Sequence, residues 1–259
     1  MKVIAVVGEE PLQRALTTKI HARVRLAHIA RIQLEPKGRR RWLQSLASVT
    51  LGRGLRGAWA ALQRHYEERF LGWPAVETSI HRSANAEALA ALVERQKPDL
   101  IVISGTDLLK RSTLERFGAK AMNLHTGISP YIRGGPNCTN WALALGEFDL
   151  IGNTIMWIDA GIDTGAIIAT ERTRLTGRES LAELHLKVME HAHDLSLRTV
   201  QAFAQGKELR GVPQASIAEG RLFLSRKWNG RAMARAAFNH RFLYGPFQPR
   251  PEIRLIPLD

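Results

Sequence analysis

The chain has 259 residues, 45% of them hydrophobic, which is enough for one sizeable core and excludes wholesale disorder. No uninterrupted apolar run reaches about 18 residues, so no membrane span is expected; the single cysteine, Cys138, excludes an intramolecular disulfide and fits a reducing cytoplasm. The net charge of +13 sits at the ends, with 14 Lys/Arg against 5 Asp/Glu in residues 1–75, 10 against 4 in 205–259, and 13 against 15 between them, which fits an anionic partner or a basic solvated surface.

Val3–Gly8 is a continuous apolar run closed by glycine, the pattern of a strand buried on both faces. It is too short for the apolar segment of a signal peptide. A helix is predicted over Pro11–Arg23, with proline in its first turn, and a second strand over Leu26–Leu34. Pro36 and Gly38 break that strand ahead of the basic run Arg39-Arg40-Arg41. Trp42–Phe70 has helical propensity but is interrupted by Gly52, Gly54 and Gly57, so it reads as two helices within an insertion of about 39–73. Ser83 or Asn85 is placed to cap a helix over Ala86–Gln96, which Pro98 ends. Leu100–Ser104 is another buried strand, followed by a helix over Leu108–Phe117, a strand over Ala121–His125 and a helix over Gly135–Leu145. Strands over Thr154–Ile158 and Ala166–Thr170 precede a long helix over Glu179–Phe203. Beyond Gly206 come short strands, notably Arg221–Ser225, and a basic helix near Gly230–Asn239. The alternation predicts an α/β fold: a mainly parallel, Rossmann-like twisted sheet with helices on both faces over 1–206, then a small C-terminal extension of short strands and a helix over 207–259.

Two clusters carry candidate chemistry. In Met122–Gly135, MNLHTGISPYIRGG, Asn123 and His125 are two apart and share one face at the end of a predicted strand. Ligands gather at such ends in parallel sheets. An amide beside an imidazole suits a developing oxyanion, although a pair of hydrogen-bonded structural residues is the alternative. Pro130 and the following glycines fix a backbone close to a ligand, and Arg133 offers a fork for an anion. In Trp157–Ile168, WIDAGIDTGAII, a strand enters a glycine-rich turn bearing Asp159 and Asp163. Turn aspartates commonly serve turn geometry, but one held near a histidine raises its pKa and relays a proton. His185, His191 and His193 lie on one predicted helix without converging as metal ligands and are expected at the surface. Cys138, at a helix start, reads as a small buried filler with a reactive thiol as the alternative, Trp141 and Trp157 as pocket walls, and Trp42, Trp59 and Trp73 as core or subunit packing with stacking on a base as the alternative. Gly8-Glu9-Glu10, after the first strand, is electrostatically poor for phosphate.

Taken together, the two clusters resemble the folate-dependent formyltransferases. The similarity runs through Asn123-Leu124-His125, Gly127, Ile128, Ser129, Pro130, Arg133 and Gly134, and closes with Gly161, Asp163 and Gly165. It covers roughly residues 75–200, and departs where the family usually reads Ser-Leu-Leu-Pro and this chain reads Gly-Ile-Ser-Pro. The resemblance implies formyl transfer from 10-formyltetrahydrofolate to a primary amine, with no metal. It puts the catalytic Asn, His and Asp on Asn123, His125 and Asp163. The first two would donate to the anionic oxygen of a tetrahedral intermediate. Asp163 would hold His125 charged and take a proton from the attacking nitrogen. The resemblance also implies folate contacts at Thr106, Asp107, Leu108, Leu109, Ile158, Ala160 and Gly161, and contacts to the second substrate at Arg133, Gly134 and Gly135.

Four acceptors compete. Methionyl-tRNA formyltransferases would explain the basic ends but carry a further RNA-binding domain, for which the 53 residues after Gly206 are too few. Glycinamide ribonucleotide formyltransferases lack the Trp42–Phe70 region, and a hydroxyornithine acceptor remains open. The segment GRLFLSRKWNGRAMARA resembles the tail of formyltransferases acting on nucleotide-linked amino sugars for surface polysaccharide. That likeness implies a GDP- or dTDP-linked 4-amino-4,6-dideoxy sugar, GDP-perosamine being the specific choice, in O-antigen and lipopolysaccharide biosynthesis. The apolar segment LYGPF…IRLIPLD of the C-terminal extension is a candidate isologous homodimer contact, and no nucleic-acid partner is expected. A basic nucleic-acid-binding protein on an inactive core is the non-enzymatic alternative.

Overall fold

A computed structural model describes residues 1–34, 53–118, 120–135 and 137–258. The first half of the chain runs β1 (Val3–Gly8), α1 (Pro11–His21), β2 (Leu26–Ile32), α2 (Arg53–Arg69), β3 (Thr78–His81), α3 (Glu87–Gln96), β4 (Leu100–Ser104), α4 (Arg111–Phe117) and β5 (Lys120–Thr126). It continues through β6 (Arg133–Gly134), α5 (Cys138–Leu145), β7 (Gly152–Trp157), β8 (Ile167–Arg172), α6 (Leu181–Ala204), β9 (Leu222–Phe223) and α7 (Gly230–Phe242).

The main sheet has the order β3-β2-β1-β4-β5-β7-β8. It is parallel as far as β5, whereas β5–β7 and β7–β8 are antiparallel. The apolar run of β1 is explained by helices on both sides. Val3, Ala5 and Val7 pack with Leu16 and Ile20 of α1 and with Leu195 and Val200 of α6. Ile4 and Val6 alternate to the other face, against Leu89 and Val93 of α3 and Phe117 of α4. The sheet therefore buries both sides of its central strands, as the α/β reading requires. Among the described residues no helix is long and apolar enough to cross a membrane.

Several expectations change in detail. Of the two helices expected over Trp42–Phe70, α2 is one; Arg39-Arg40-Arg41, Trp42 and the rest of the expected insertion up to residue 52 lie outside the described residues. α3 begins without a side-chain cap, its N-cap being Ala86; Ser83 and Asn85 bond elsewhere. The strand expected over Arg221–Ser225 is Leu222–Phe223, paired in parallel with β6. The three histidines of α6 are not surface residues. His185 and His193 are buried, and His191 is held by Glu171 and Thr173 at 3.0 Å each. α6 is covered by the sheet on one side and by α2 on another, so more than one stripe of it is interior.

Candidate active site

β5 carries Asn123 and His125 toward the end of the parallel sheet, and β7 runs back beside it with Asn123 opposite Met156 and His125 opposite Thr154. The turn after β7 returns Asp163 to both of them. The Asn123 amide donates to Asp163 Oδ1 at 3.4 Å, and His125 Nδ1 lies 3.4 Å from Asp163 Oδ2. The backbone N–H of Gly134 donates to the same Oδ2 at 3.0 Å, so one carboxylate joins three segments of chain. His125 is 7% exposed and Asp163 16%. The second ring nitrogen of His125, Nε2, faces the Ile132 carbonyl at 3.4 Å. The other turn aspartate does what turn aspartates ordinarily do: Asp159 accepts from Gly161 N–H at 3.0 Å and from Thr164 Oγ1 at 2.6 Å.

The Gly-Ile-Ser-Pro segment has a physical cause in this packing. Gly127 has φ +143°, and a Cβ there would lie 2.7 Å from Cys138 Cβ and 3.1 Å from His125 Nε2. Glycine lets the loop cross the imidazole without pushing it. Thr154 Oγ1 fastens the loop by donating to the Gly127 carbonyl at 2.6 Å and accepting from Ser129 N–H at 3.0 Å. Ile128 and Ile132 are fully buried beneath it. Cys138 is buried, and its thiol is pushed up first by burial and then by the Asp163 carboxylate, so it is an inert filler.

A cleft of about 320 Å³ opens onto the three residues. Thr106, Asp107, Leu108, Leu109, Ile158 and Gly161 line it, as does Gly134. Ala160, Arg133 and Gly135 do not. Arg133 instead lays its guanidinium over Gly220. Asp107 braces the cleft wall by accepting from Ser83 Oγ at 2.6 Å, Ala84 N–H at 2.7 Å and the Asn85 amide at 3.1 Å. Burial works against its charge, but these bonds outweigh it and hold the carboxyl below the usual range. Asn85 also accepts from Lys110 N–H at 2.7 Å and Thr113 Oγ1 at 2.9 Å. These two side chains, expected to cap a helix, are what shape the loop after β4; they are separated from it by more than twenty residues, and no local pattern reveals that role.

A second cavity, about 680 Å³, lies between α2, the start of α5, α6 and Trp228. Trp59, Trp228, Asn140 and His185 are among its lining residues. Asn137, which lines it, follows three residues after Gly134, which lines the first cleft. Burial, and then His240, lower the His185 pKa to about 4, so an uncharged imidazole faces this cavity. Among the described residues no cluster of His, Cys, Asp or Glu is placed to hold a metal ion.

The family model for formyl transferases matches residues 62–200, more than half of the chain, and spans every member of the Asn–His–Asp site. The chain belongs to the formyl transferase family. Among curated relatives, the methionyl-tRNA formyltransferase of Finegoldia magna is 30% identical over 140 residues, 52% of this chain and 44% of that one. That of Alkaliphilus oremlandii is 33% identical over 124 residues, 47% and 39% of the two chains. The chain thus matches less than half the length of these relatives. Among solved structures, an N-formyltransferase from Helicobacter canadensis, in complex with folinic acid and dTDP-3-aminofucose, superposes with a TM-score of 0.60 at 16% identity over 92% of this chain and 81% of that one. A sugar N-formyltransferase from a Shewanella species gives 0.58 at 13% identity over 99% and 96%. The phosphoribosylglycinamide formyltransferase of Anaplasma phagocytophilum gives 0.59 at 15% over 87% and 98%. At such identities the likeness is one of fold, and sugar and glycinamide enzymes share it equally.

Proposed function

We propose that the protein transfers a formyl group from 10-formyltetrahydrofolate to the amine of a nucleotide-linked amino sugar, in the cytoplasm. The observation that carries formyl transfer is the convergence of Asn123, His125 and Asp163 at a cleft in a chain of this family. The cleft suits the folate: Leu108, Leu109, Met156 and Ile158 offer apolar walls to a flat heteroaromatic ring. When bound, the folate supplies an activated formyl carbon. Asn123 has a second amide N–H beyond the one given to Asp163, and together with His125 it supports the oxygen on which negative charge develops. Removing one such donor commonly costs about 10²–10³ in rate. Asp163 accepts a proton as the amine attacks and would hand it on to the donor nitrogen as that nitrogen's bond to the formyl carbon breaks, a role commonly worth about 10²–10⁴. Of the three implied acceptor contacts, Arg133, Gly134 and Gly135, Gly134 lines the cleft, and the acceptor is proposed to approach on that side.

The second cavity supports the nucleotide-linked acceptor. It is larger than the cleft, one of its lining residues, Asn137, follows Gly134 of the cleft closely in sequence, and its indoles, uncharged imidazole and amide suit an aromatic base. The solved Helicobacter canadensis structure holds a nucleotide sugar with a folate, whereas the curated sequence relatives act on methionyl-tRNA. Incubation with 10-formyltetrahydrofolate and a panel of GDP-, dTDP- and UDP-amino sugars, methionyl-tRNA, glycinamide ribonucleotide and hydroxyornithine, read by mass spectrometry, tests both parts. Formylation of a nucleotide sugar such as GDP-perosamine is the expected result. Formylation of tRNA alone would overturn the acceptor assignment, and no formylated product at all would overturn the reaction.

A further inference from the structure

We infer that the C-terminal extension completes the catalytic site and that Gln214 is the residue that positions Asp163. This rests on the proposed reaction, although its geometry stands apart from it. Val212 exchanges two backbone hydrogen bonds with Ile167, each 2.8 Å, which ties the extension to the start of β8 just beyond the Asp163 turn. Gly211 approaches so closely that a Cβ there would lie 2.7 Å from Ala166 Cβ and 2.8 Å from Trp157 Cδ1. Gln214 then turns inward and is only 6% exposed. Its Nε2 donates to the Asp163 carbonyl at 2.8 Å and to the Gly165 carbonyl at 2.8 Å. One amide thereby spends both of its N–H groups on one turn.

That turn needs holding. Asp163 is not a glycine, yet it has φ +51°. Such a conformation is unfavourable for a residue with a side chain and persists where the surroundings over-determine it. The Oε1 of Gln214 is buried without a partner, which is itself unfavourable, so what the side chain contributes here comes from its two donors. The extension also secures the other end of Asp163. The Gly134 N–H that binds its carboxylate belongs to β6, and β6 is flanked by bonds from Arg133 N–H to the Arg221 carbonyl (3.0 Å) and from Gly135 N–H to the Phe223 carbonyl (2.9 Å). Main chain and carboxylate of Asp163 are thus both anchored by residues of 212–223. Gln214 acts through Asp163 and touches no substrate; it is a positioning residue.

The test is Gln214→Met, similar in size but without donors. A displacement near 1 Å in a catalytic group can cost about 10²-fold, so kcat is expected to fall about 10–100-fold. KM for folate and for acceptor should stay within about threefold, because Gln214 itself lines neither cavity and the residues offering apolar walls to the folate keep their places. The His125 ring resonances should move in histidine-labelled NMR spectra, since the carboxylate beside that ring is displaced. Ser216→Ala, in the same short turn but bonded only to the Pro213 carbonyl at 2.7 Å, should match wild type in every readout. A Gln214→Met enzyme with kcat within about twofold of wild type, or with its loss confined to KM, would overturn the inference. Should that variant not fold, Gln214→Asn keeps the amide but is one methylene too short to span both carbonyls, and the same criteria apply to it. If wild type formylates none of the amines, the proposed reaction fails while the NMR comparison still decides the clamp: moved His125 resonances support it and unmoved ones refute it.

Discussion

Replacing Gly127 by alanine tests whether the loop over His125 is as tightly determined as its geometry indicates. The added Cβ meets Cys138 Cβ at 2.7 Å, His125 Nε2 at 3.1 Å and Ile132 Cγ2 at 3.2 Å, and it must adopt φ +143°. Neither side can yield easily. The Gly127 N–H is bonded to the Gly152 carbonyl at 2.7 Å and its own carbonyl to Thr154 Oγ1 at 2.6 Å, while Cys138 and Ile132 are fully buried. The backbone contribution is about 1–3 kcal/mol, and overpacking a filled site adds about 1–3 kcal/mol. A combined loss of about 2–6 kcal/mol in a chain of this size corresponds to a fall in Tm of at least ~5 °C. Because one of the three contacts is the imidazole, kcat should fall as well. Pairing the change with Cys138→Gly removes the closest clash and should restore part of the steric loss while leaving the backbone part. Scanning calorimetry and steady-state kinetics measure both. A Gly127→Ala protein melting within ~1 °C of wild type with unchanged kcat would refute the account of the loop.

Other outcomes follow from the same geometry. Asn123→Ala and Asp163→Asn should each lower kcat by about 10²–10⁴ with little change in melting temperature, whereas Asp159→Asn should keep wild-type kcat because its acceptor role in the turn survives; equal losses from Asp159→Asn and Asp163→Asn would contradict the assignment. Asn85→Ala leaves Lys110 N–H and Thr113 Oγ1 without their acceptor, so KM for folate should rise several-fold at nearly constant kcat, measured with acceptor saturating. Burial lowers the His193 pKa to about 3 and the His185 pKa to about 4, below the unfolded value near 6.5. Since folding favours their neutral forms, their contribution is complete above about pH 6.5 and is lost as pH falls toward those values, at about 1.4 kcal/mol per histidine per pH unit. Urea unfolding should therefore give a stability at pH 5 lower than at pH 7.5 by a few kcal/mol, and equal values would contradict the burial argument.

What the sequence disclosed and what it hid divide along physical lines. β1 and β4 are legible because a strand covered on both faces must be apolar throughout, and every residue from Val3 to Val7 and from Leu100 to Ile103 is buried. β3 has no such mark. It is an edge strand, Thr78–His81, with Ile80 58% exposed, and its pairing to β2 uses backbone groups that leave no hydrophobic pattern. The histidines of α6 mislead for a related reason: a helix is read as having one solvent face, yet Lys19, Tyr66 and Glu190 build a polar layer around His193 between α1, α2 and α6. Ser83 and Asn85 are typical cap residues placed at a helix start, and the competing use of their side chains, an aspartate brought alongside by the fold, is invisible without tertiary structure.

The site itself shows where local reading stops. Period-two geometry alone puts Asn123 and His125 on one face of β5, and it needs no partner to do so. The aspartate is different, because the turn after β7 offers two of them and composition does not separate the pair. Asp159 is consumed by its own turn, through Gly161 and Thr164. Asp163 is left over, and its left-handed backbone swings the carboxylate out of the turn toward Asn123, His125 and Gly134. That conformation is unfavourable locally and is countered from distant positions, by Gln214 on the carbonyl side and by the β6–β9 pairing on the carboxylate side. Residue-by-residue chemistry does not separate a residue whose geometry is opposed by its neighbours and supported from fifty positions away; the family resemblance picked it out through the glycines at 161 and 165, which mark the turn that holds it.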